Sequence, residues 1–358
     1  MSELLSQSMQ KPPGDPTAAS RKEDHIELAF RSQVNRIELD ARFDYEPMLA
    51  AHPLPGSLPS SPFGDKTMKA PLWVSSMTGG TEKAYVINQN LGRACAEFGL
   101  GMGLGSCRPL LYGDDRLVDF DIRPITGDEV PLYANLGVAQ VQELLDEGRI
   151  GEISEMVTAL RVDGLIIHVN PLQEAMQPEG DRFTATPLQT VKDTLAELPE
   201  LPVIVKAVGQ GMGPASLSAL LKLPLLAIDT AANGGTNFSK LELLRGDELR
   251  AQAYAPVVQL GHSAEEMVDM INQEVRALRQ AQQGAGPQVQ CEHLIVSGGI
   301  QTFLDGFYLT QKSQLPAVYG QASAFLRYAR EDYATLQRYV ETQLRGLELA
   351  HAYLRPRF

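Results

Sequence analysis

Disulfide chemistry is the first thing this sequence does not support. It holds three cysteines, Cys95, Cys107 and Cys291, with no CxxC pair among them. An odd, sparse set excludes a disulfide framework, argues against a thiolate zinc site and reads as reduced and cytoplasmic. Long apolar runs are also missing: none reaches the roughly 20 residues that a membrane-crossing helix needs, so no membrane role is expected. Positive charge is scarce, with 31 Lys and Arg against 44 Asp and Glu and a net charge of −13. That balance argues against wrapping nucleic acid. Any phosphate-bearing ligand has to be held by local cations, backbone amides or a metal. The opening MSELLSQSMQKPPGDPTAAS lacks an apolar signal core and reads as a disordered lead-in.

What is present is a rhythm. Residues 1–66 form an N-terminal extension: the lead-in, then RKEDHIELAF at 21–30 with a partly apolar helical face, then a Pro- and Gly-rich loop over 46–66. From residue 67 to 358 the chain reads as one domain. Eight strand-like runs recur: 71–76, 99–106, 131–137, 164–170, 202–209, 225–232, 253–260 and 293–299. Helical patterns fall between them at 82–98, 139–147, 151–161, 188–197, 214–222, 238–252 and 264–280, and a long amphipathic helix over 329–352 closes the chain. Strand–helix repeats of this number and spacing predict an α/β fold, a (β/α)8 TIM barrel. The competing doubly wound sheet lacks its GxGxxG turn.

In such a barrel the site is built at the carboxyl ends of the strands. The richest of these ends is DGLIIHVNPLQEAMQPEGDRF at 163–183, where an apolar run turns into His168, Asn170, Gln173, Glu174, Gln177, Glu179 and Asp181. That cluster points to an anionic, metal-bridged substrate. Other ends carry Ser76-Met77-Thr78, Ser106-Cys107-Arg108, Asn135, Lys206 and Thr236. SGGI at 297–300 is assigned to the end of the eighth strand, where a Gly pair opening a helix suits a phosphate. Lys206, inside an apolar strand, reads either as a Schiff-base lysine or as a cation beside a flavin.

These residues carry a resemblance. RKEDHIELA, SMTGG, GSCR, ANLG, IHVNPLQEAMQPEGDRF, VIVKAVGQGM, GGTNFSKLELLRG and SGGIQ occur in order over most of the chain. The set resembles the type 2 isopentenyl-diphosphate isomerases, FMN-dependent (β/α)8 enzymes. The resemblance implies FMN contacts at Ser76, Met77, Thr78, Ser106, Asn135, Lys206, Thr236, Gly298, Gly299, Ile300, Ala322 and Ser323. It implies substrate contacts at Arg21, Lys22, Ser106, Cys107, Arg108 and Gln173, with Arg21 and Lys22 in a lid. Gln173, His168 and Asn170 are the implied catalytic set, and Glu174 the implied Mg2+ ligand. The sequence departs from the family's habit at Ala207, at Ala231-Ala232-Asn233, at Leu260-Gly261 and after Gln301.

The implied activity interconverts isopentenyl and dimethylallyl diphosphate for isoprenoid biosynthesis, with reduced FMN as the acid–base group and NADPH as its reductant. No dinucleotide fingerprint for NADPH is visible. The resemblance also implies a homo-oligomer, a tetramer or larger, acting on a small-molecule diphosphate without nucleic-acid partners. An alternative is an FMN-dependent barrel oxidoreductase of the 2-hydroxyacid oxidase type, which leaves HVNPLQE unexplained. A degenerate barrel kept as a binding protein is a third reading, supported only by the altered segment after SGGIQ.

Overall fold

A computed structural model describes residues 17–113, 115–281 and 288–358; most of the expected lead-in therefore lies outside the described residues. The chain divides into a small unit ending at Phe43 and including Arg357, and a large unit from Asp44 to Pro356 with Phe358. In the small unit a helix spans Ala18–Leu28 and a 3-10 turn spans Arg36–Glu38. The Glu38 carboxylate accepts the Asn35 N–H at 2.9 Å, closing a capping box.

The large unit holds a closed barrel of eight parallel strands. In chain order they are β1 Leu72–Val74, β2 Gly101–Gly103, β3 Leu132–Gly137, β4 Gly164–His168, β5 Val203–Lys206, β6 Ala227–Asp229, β7 His293–Ser297 and β8 Ala317–Gln321. Each pairs with its neighbours in sequence, and β8 closes the ring on β1 through Tyr319↔Leu72, Gly320↔Trp73 and Gln321↔Val74. Local chemistry sets the helices between them. Thr81 caps Glu82–Phe98 by accepting the Ala84 N–H, and Gly99 ends that helix at φ 63°, where a side chain is strained. Pro187 and Pro214 sit in the first turns of the helices Pro187–Glu197 and Pro214–Leu221, where a missing N–H costs nothing.

Two expectations fail here. The run at 253–260 is not a strand: Asp247 caps a helix, Glu248–Tyr254, that runs into it, and Pro256 lacks a ladder donor before a 3-10 turn at Val257–Gln259. SGGI consequently ends the seventh strand, and the eighth is Ala317–Gln321 just after Pro316. Two expected helices are also divided. Residues 238–252 split into Phe238–Arg245 and Glu248–Tyr254 around Gly246. The closing helix starts at Tyr333, capped by Asp332, after a separate Ser323–Ala329.

The amino-terminal end of the barrel is plugged. A hairpin pairs Ser61–Phe63 with Lys66–Met68 immediately before β1. Phe63 and Met68 are fully buried with Trp73, Tyr133, Ile166, Ile204 and Ile295. The Phe63 ring lies 5.0 Å from Trp73 and 6.0 Å from Tyr133, centroid to centroid. Lys66 pins the hairpin by an ion pair of 2.5 Å to Asp163, which also meets Arg123 at 3.1 Å. Asp163 is thus an ionic hub under β4. Phe63→Ala is expected to lower stability by about 3–5 kcal/mol, the usual cost of emptying a buried aromatic site. Trp73 is the sole tryptophan, so its fluorescence in a urea titration reads the midpoint directly. An unchanged midpoint would show that the plug carries none of the barrel's stability.

Candidate active site

Parallel strands put all eight carboxyl ends on the face opposite the plug. Every strand, or the turn after it, sends residues to the walls of two cavities of about 370 and about 130 Å3 there. The two share Ser76, Met77, Lys206, Val208 and Phe238 and therefore adjoin.

The larger cavity runs along Ser75-Ser76-Met77, Lys206, Thr236, Gly298-Gly299-Ile300 and Ala322-Ser323. Gly298 is required where it stands: its φ is 85°, and a Cβ there would fall 2.1 Å from the Ala232 nitrogen. The facing turn is tight as well, with Ala231 held at φ 30°, a conformation better suited to glycine. Two acceptors hold it in place, since the Ala231 N–H is donated to Ser297 Oγ at 3.0 Å and to Asp229 Oδ1 at 3.2 Å. Beneath this wall lies a buried charge pair in neighbouring register, Lys206 on β5 and Asp229 on β6. Burial pushes the Lys206 ammonium down, opposed by the Asp229 charge, and burial pushes the Asp229 carboxyl up, opposed by Lys206. Lys206 Nζ donates to the Ala207 carbonyl at 2.9 Å, and Ser297 Oγ donates to Asp229. Ser75 Oγ, Ser76 Oγ and Asp229 Oδ2 are buried with no hydrogen-bond partner among the described residues.

The smaller cavity is lined by Ser106, Asn135, His168 and Gln173. Asn135 Nδ2 donates to the Leu104 carbonyl at 3.0 Å, which leaves Oδ1 to accept from His168 Nδ1 at 2.8 Å. His168 is therefore a neutral imidazole with its Nε2 lone pair uncommitted by that bond. Burial, and then the Lys206 charge, hold its pKa down at about 3, although one edge faces the cavity. Behind it, Asn170 Nδ2 donates to Glu174 Oε1 at 2.7 Å, and Glu174 Oε2 accepts the Asp181 N–H at 2.8 Å. Asn170 Oδ1 is buried and unpartnered among the described residues.

Not every sequence-predicted residue joins these cavities. Thr78 lines neither; its carbonyl packs so closely on Gly105 that a Cβ there would lie 2.1 Å away. Cys107 is fully buried, its Sγ 3.5 Å from the Gly105 carbonyl, and burial pushes its thiol up to about 12. Arg108 turns to Asp181 in an ion pair of 2.9 Å over a separate depression with Gln142 and Arg182. Arg21 and Lys22 are exposed on the helix of the small unit. Among the described residues no group of three or more His, Cys, Asp or Glu converges to hold a metal.

This architecture has solved counterparts. A mandelate oxidase with an FMN adduct superposes with a TM-score of 0.53 at 12% identity, covering 88% of each chain. Mandelate oxidase with a difluorinated hydroxy acid gives 0.53 at 14%, over 88% of this chain and 87% of its own. At that identity the likeness is one of fold. No family model matches the chain. The isopentenyl-diphosphate delta-isomerase of Rickettsia felis, however, is 30% identical over 339 residues, 92% of this chain and 90% of that protein. The chain belongs to the isopentenyl-diphosphate delta-isomerase family. The Rickettsia typhi member is 31% identical over 290 residues, 80% of this chain and 79% of its length.

Within this family member the structure adds residues that sequence reasoning passed over. Glu242 is buried; its Oε1 accepts from Gln177 Nε2 at 2.8 Å and from Gln173 Nε2 at 3.3 Å, and Arg245 pairs with its Oε2 at 2.7 Å. It fixes the Gln173 amide with Nε2 toward α-helix Phe238–Arg245 and Oε1 toward Asn170. The signal was in GGTNFSKLE: Phe238 and Glu242 are four apart on a helix and share a face.

A neutral His168 makes the stability of this isomerase family member depend on pH. Below the ordinary imidazole value of 6.5 the unfolded chain takes up a proton that the folded chain refuses until about pH 3. Stability is therefore present above 6.5 and lost as pH falls through that window, by up to about 2 kcal/mol between pH 6.5 and 4.5. Urea midpoints at both pH values should show a smaller acid loss for His168→Asn than for wild type. Equal losses would mean that His168 titrates normally in the folded protein.

Proposed function

We propose that the barrel mouth binds FMN and an isopentenyl-type diphosphate together, and that the protein interconverts isopentenyl and dimethylallyl diphosphate. The observation that carries this is the adjoining of a glycine-walled cavity with a polar one across Ser76, Met77, Lys206 and Phe238, in a chain of this family. The residues fit the cofactor: Gly298 and Gly299 border the cavity with backbone and no side chain, and Ser75 and Ser76 offer buried hydroxyls without partners among the described residues. Met77, Thr236, Ile300, Ala322 and Ser323 would complete its holding, with Thr78 supporting the turn from behind. Reduced FMN, when bound, would supply acid–base chemistry: a proton goes to the terminal CH2 of the alkene and one leaves the allylic CH2 next to the substituted carbon, without net redox.

The chain's own residues orient and polarise. Lys206 brings positive charge to the wall between the cavities, where it balances anionic ligand charge. Asn135 holds His168 in one tautomer, so the imidazole meets the ligand through Nε2. Gln173, clamped by Glu242 and Asn170, presents its amide beside Phe238. Glu174 would hold Mg2+ against the diphosphate on leaving its bonds to Asn170 and the Asp181 N–H, and the ion would supply the positive charge that turns a like-charge repulsion into attraction. Arg21 and Lys22 serve as a diphosphate lid, and Arg108 leaves Asp181 when substrate arrives. NADPH reduces the flavin from solution. We place the enzyme in the cytoplasm as a homo-oligomer, a tetramer or larger; three buried free thiols suit a reducing compartment. A 2-hydroxyacid oxidase needs a basic His for its carboxylate substrate; here burial and the Lys206 charge hold the His168 pKa down at about 3.

Glu174→Gln keeps shape and removes one ligand charge. Activity of the reduced enzyme is expected to fall by roughly two orders of magnitude, with FMN retained and the Mg2+ titration shifted to higher concentration. In the same assay, replacing Arg21 and Lys22 by Ala should raise KM and leave FMN content alone. Normal turnover and an unchanged Mg2+ dependence in Glu174→Gln would remove the metal from this position.

A further inference from the structure

The larger cavity is lined by two residues that carry formal charge, Lys206 and Arg327, and both are positive. No carboxylate lines it, in a chain of net charge −13. The two cations are not equivalent. Lys206 is buried and faces the compensating charge of Asp229. Arg327 is exposed and has no carboxylate at ion-pair distance among the described residues; its guanidinium stands 5.6 Å from the Tyr328 ring centroid.

Placement follows from the helix. Ser323 opens the segment Ser323–Ala329, and Arg327 lies one turn later on the same face, beside the Gly298-Gly299-Ile300 turn that borders the same cavity. The residue that follows this turn, Gln301, is neutral, and its N–H is given to Asp305 at 3.1 Å. The glycine turn therefore offers space and backbone but no charge. A phosphomonoester carries close to two negative charges at neutral pH, and in an acidic protein a planar guanidinium with two parallel donors is the strongest available partner.

We propose that Arg327 pairs with the terminal phosphate of the flavin and that this contact sets the preference for FMN over riboflavin. The proposal rests on the FMN reading above and names the residue that makes it selective. The charge comes from the helix after β8, not from the turn after β7, so phosphate recognition is divided between two strand ends.

The test is a fluorescence titration of flavin-free protein with FMN and with riboflavin, at low and at high salt, for wild type, Arg327→Ala and Arg327→Lys. Arg327→Ala should weaken FMN by about 10- to 100-fold, leave riboflavin unchanged and flatten the salt dependence for FMN. Arg327→Lys should fall between, since it keeps the charge and loses the fork. Riboflavin affinity serves as the folding control. Equal loss of both flavins in Arg327→Ala, or FMN affinity untouched by it, overturns the proposal while the FMN reading stands. Wild-type protein that binds neither flavin overturns both.

Discussion

Closure of the strand ring is the constraint on which the rest depends. Ala317–Gln321 pairs on one side with His293–Ser297 and on the other with Leu72–Val74, joining the last strand to the first. Because all eight strands are parallel, closure gathers their carboxyl ends at one mouth and leaves no open edge. It also forces the other end to be filled, which the 61–68 hairpin does with Phe63 and Met68 while Lys66 reaches Asp163. Stability and chemistry are thereby separated along one axis. Apolar and ionic contacts pack the amino-terminal end; at the other end Ser75, Ser76 and Asp229 keep buried oxygens without protein partners among the described residues.

At the mouth the problem is electrostatic. A strongly acidic chain must hold ligands that are themselves anions. The structure answers with two placed cations, Lys206 and Arg327, in the wall of a cavity that no carboxylate lines. Acidic groups near the site are engaged internally: Asp229 by Ser297 and the Ala231 N–H, Glu174 by Asn170 and the Asp181 N–H, Glu242 by two glutamines and Arg245. Two of these bonds also fix a polar group in a cavity wall, the Ser297 hydroxyl and the Gln173 amide, so charge management and side-chain orientation meet there.

Much of this was legible in the sequence because the signals were local. Thr81 and Gly99 bracket the helix Glu82–Phe98 at its observed limits, and the rhythm predicted the barrel. The error at 253–260 came from reading Val257-Val258 as β-formers while the cap at Asp247 had already started a helix. The true eighth strand, AVYGQ, escaped because it is short and ends in Gly and Gln, residues with little strand signature. The position of SGGI slipped by one strand as a result, yet its cavity did not, since neighbouring strand ends share one wall. Arg327 was illegible for another reason. A charged residue on a short amphipathic helix reads as solvated surface. Only the fold, which puts Ser323–Ala329 and the glycine turn around one cavity, gives Arg327 a wall to line.

The most direct test of the account is isomerisation in deuterated water. Reduced holoprotein is given isopentenyl diphosphate and Mg2+, and both product and flavin are followed by NMR and absorbance. The account predicts dimethylallyl diphosphate carrying solvent deuterium in its new methyl group, with reductant needed only to prime the flavin and no activity in the oxidised protein. Oxidation of substrate with matching turnover of the flavin, or product without solvent deuterium, would contradict it.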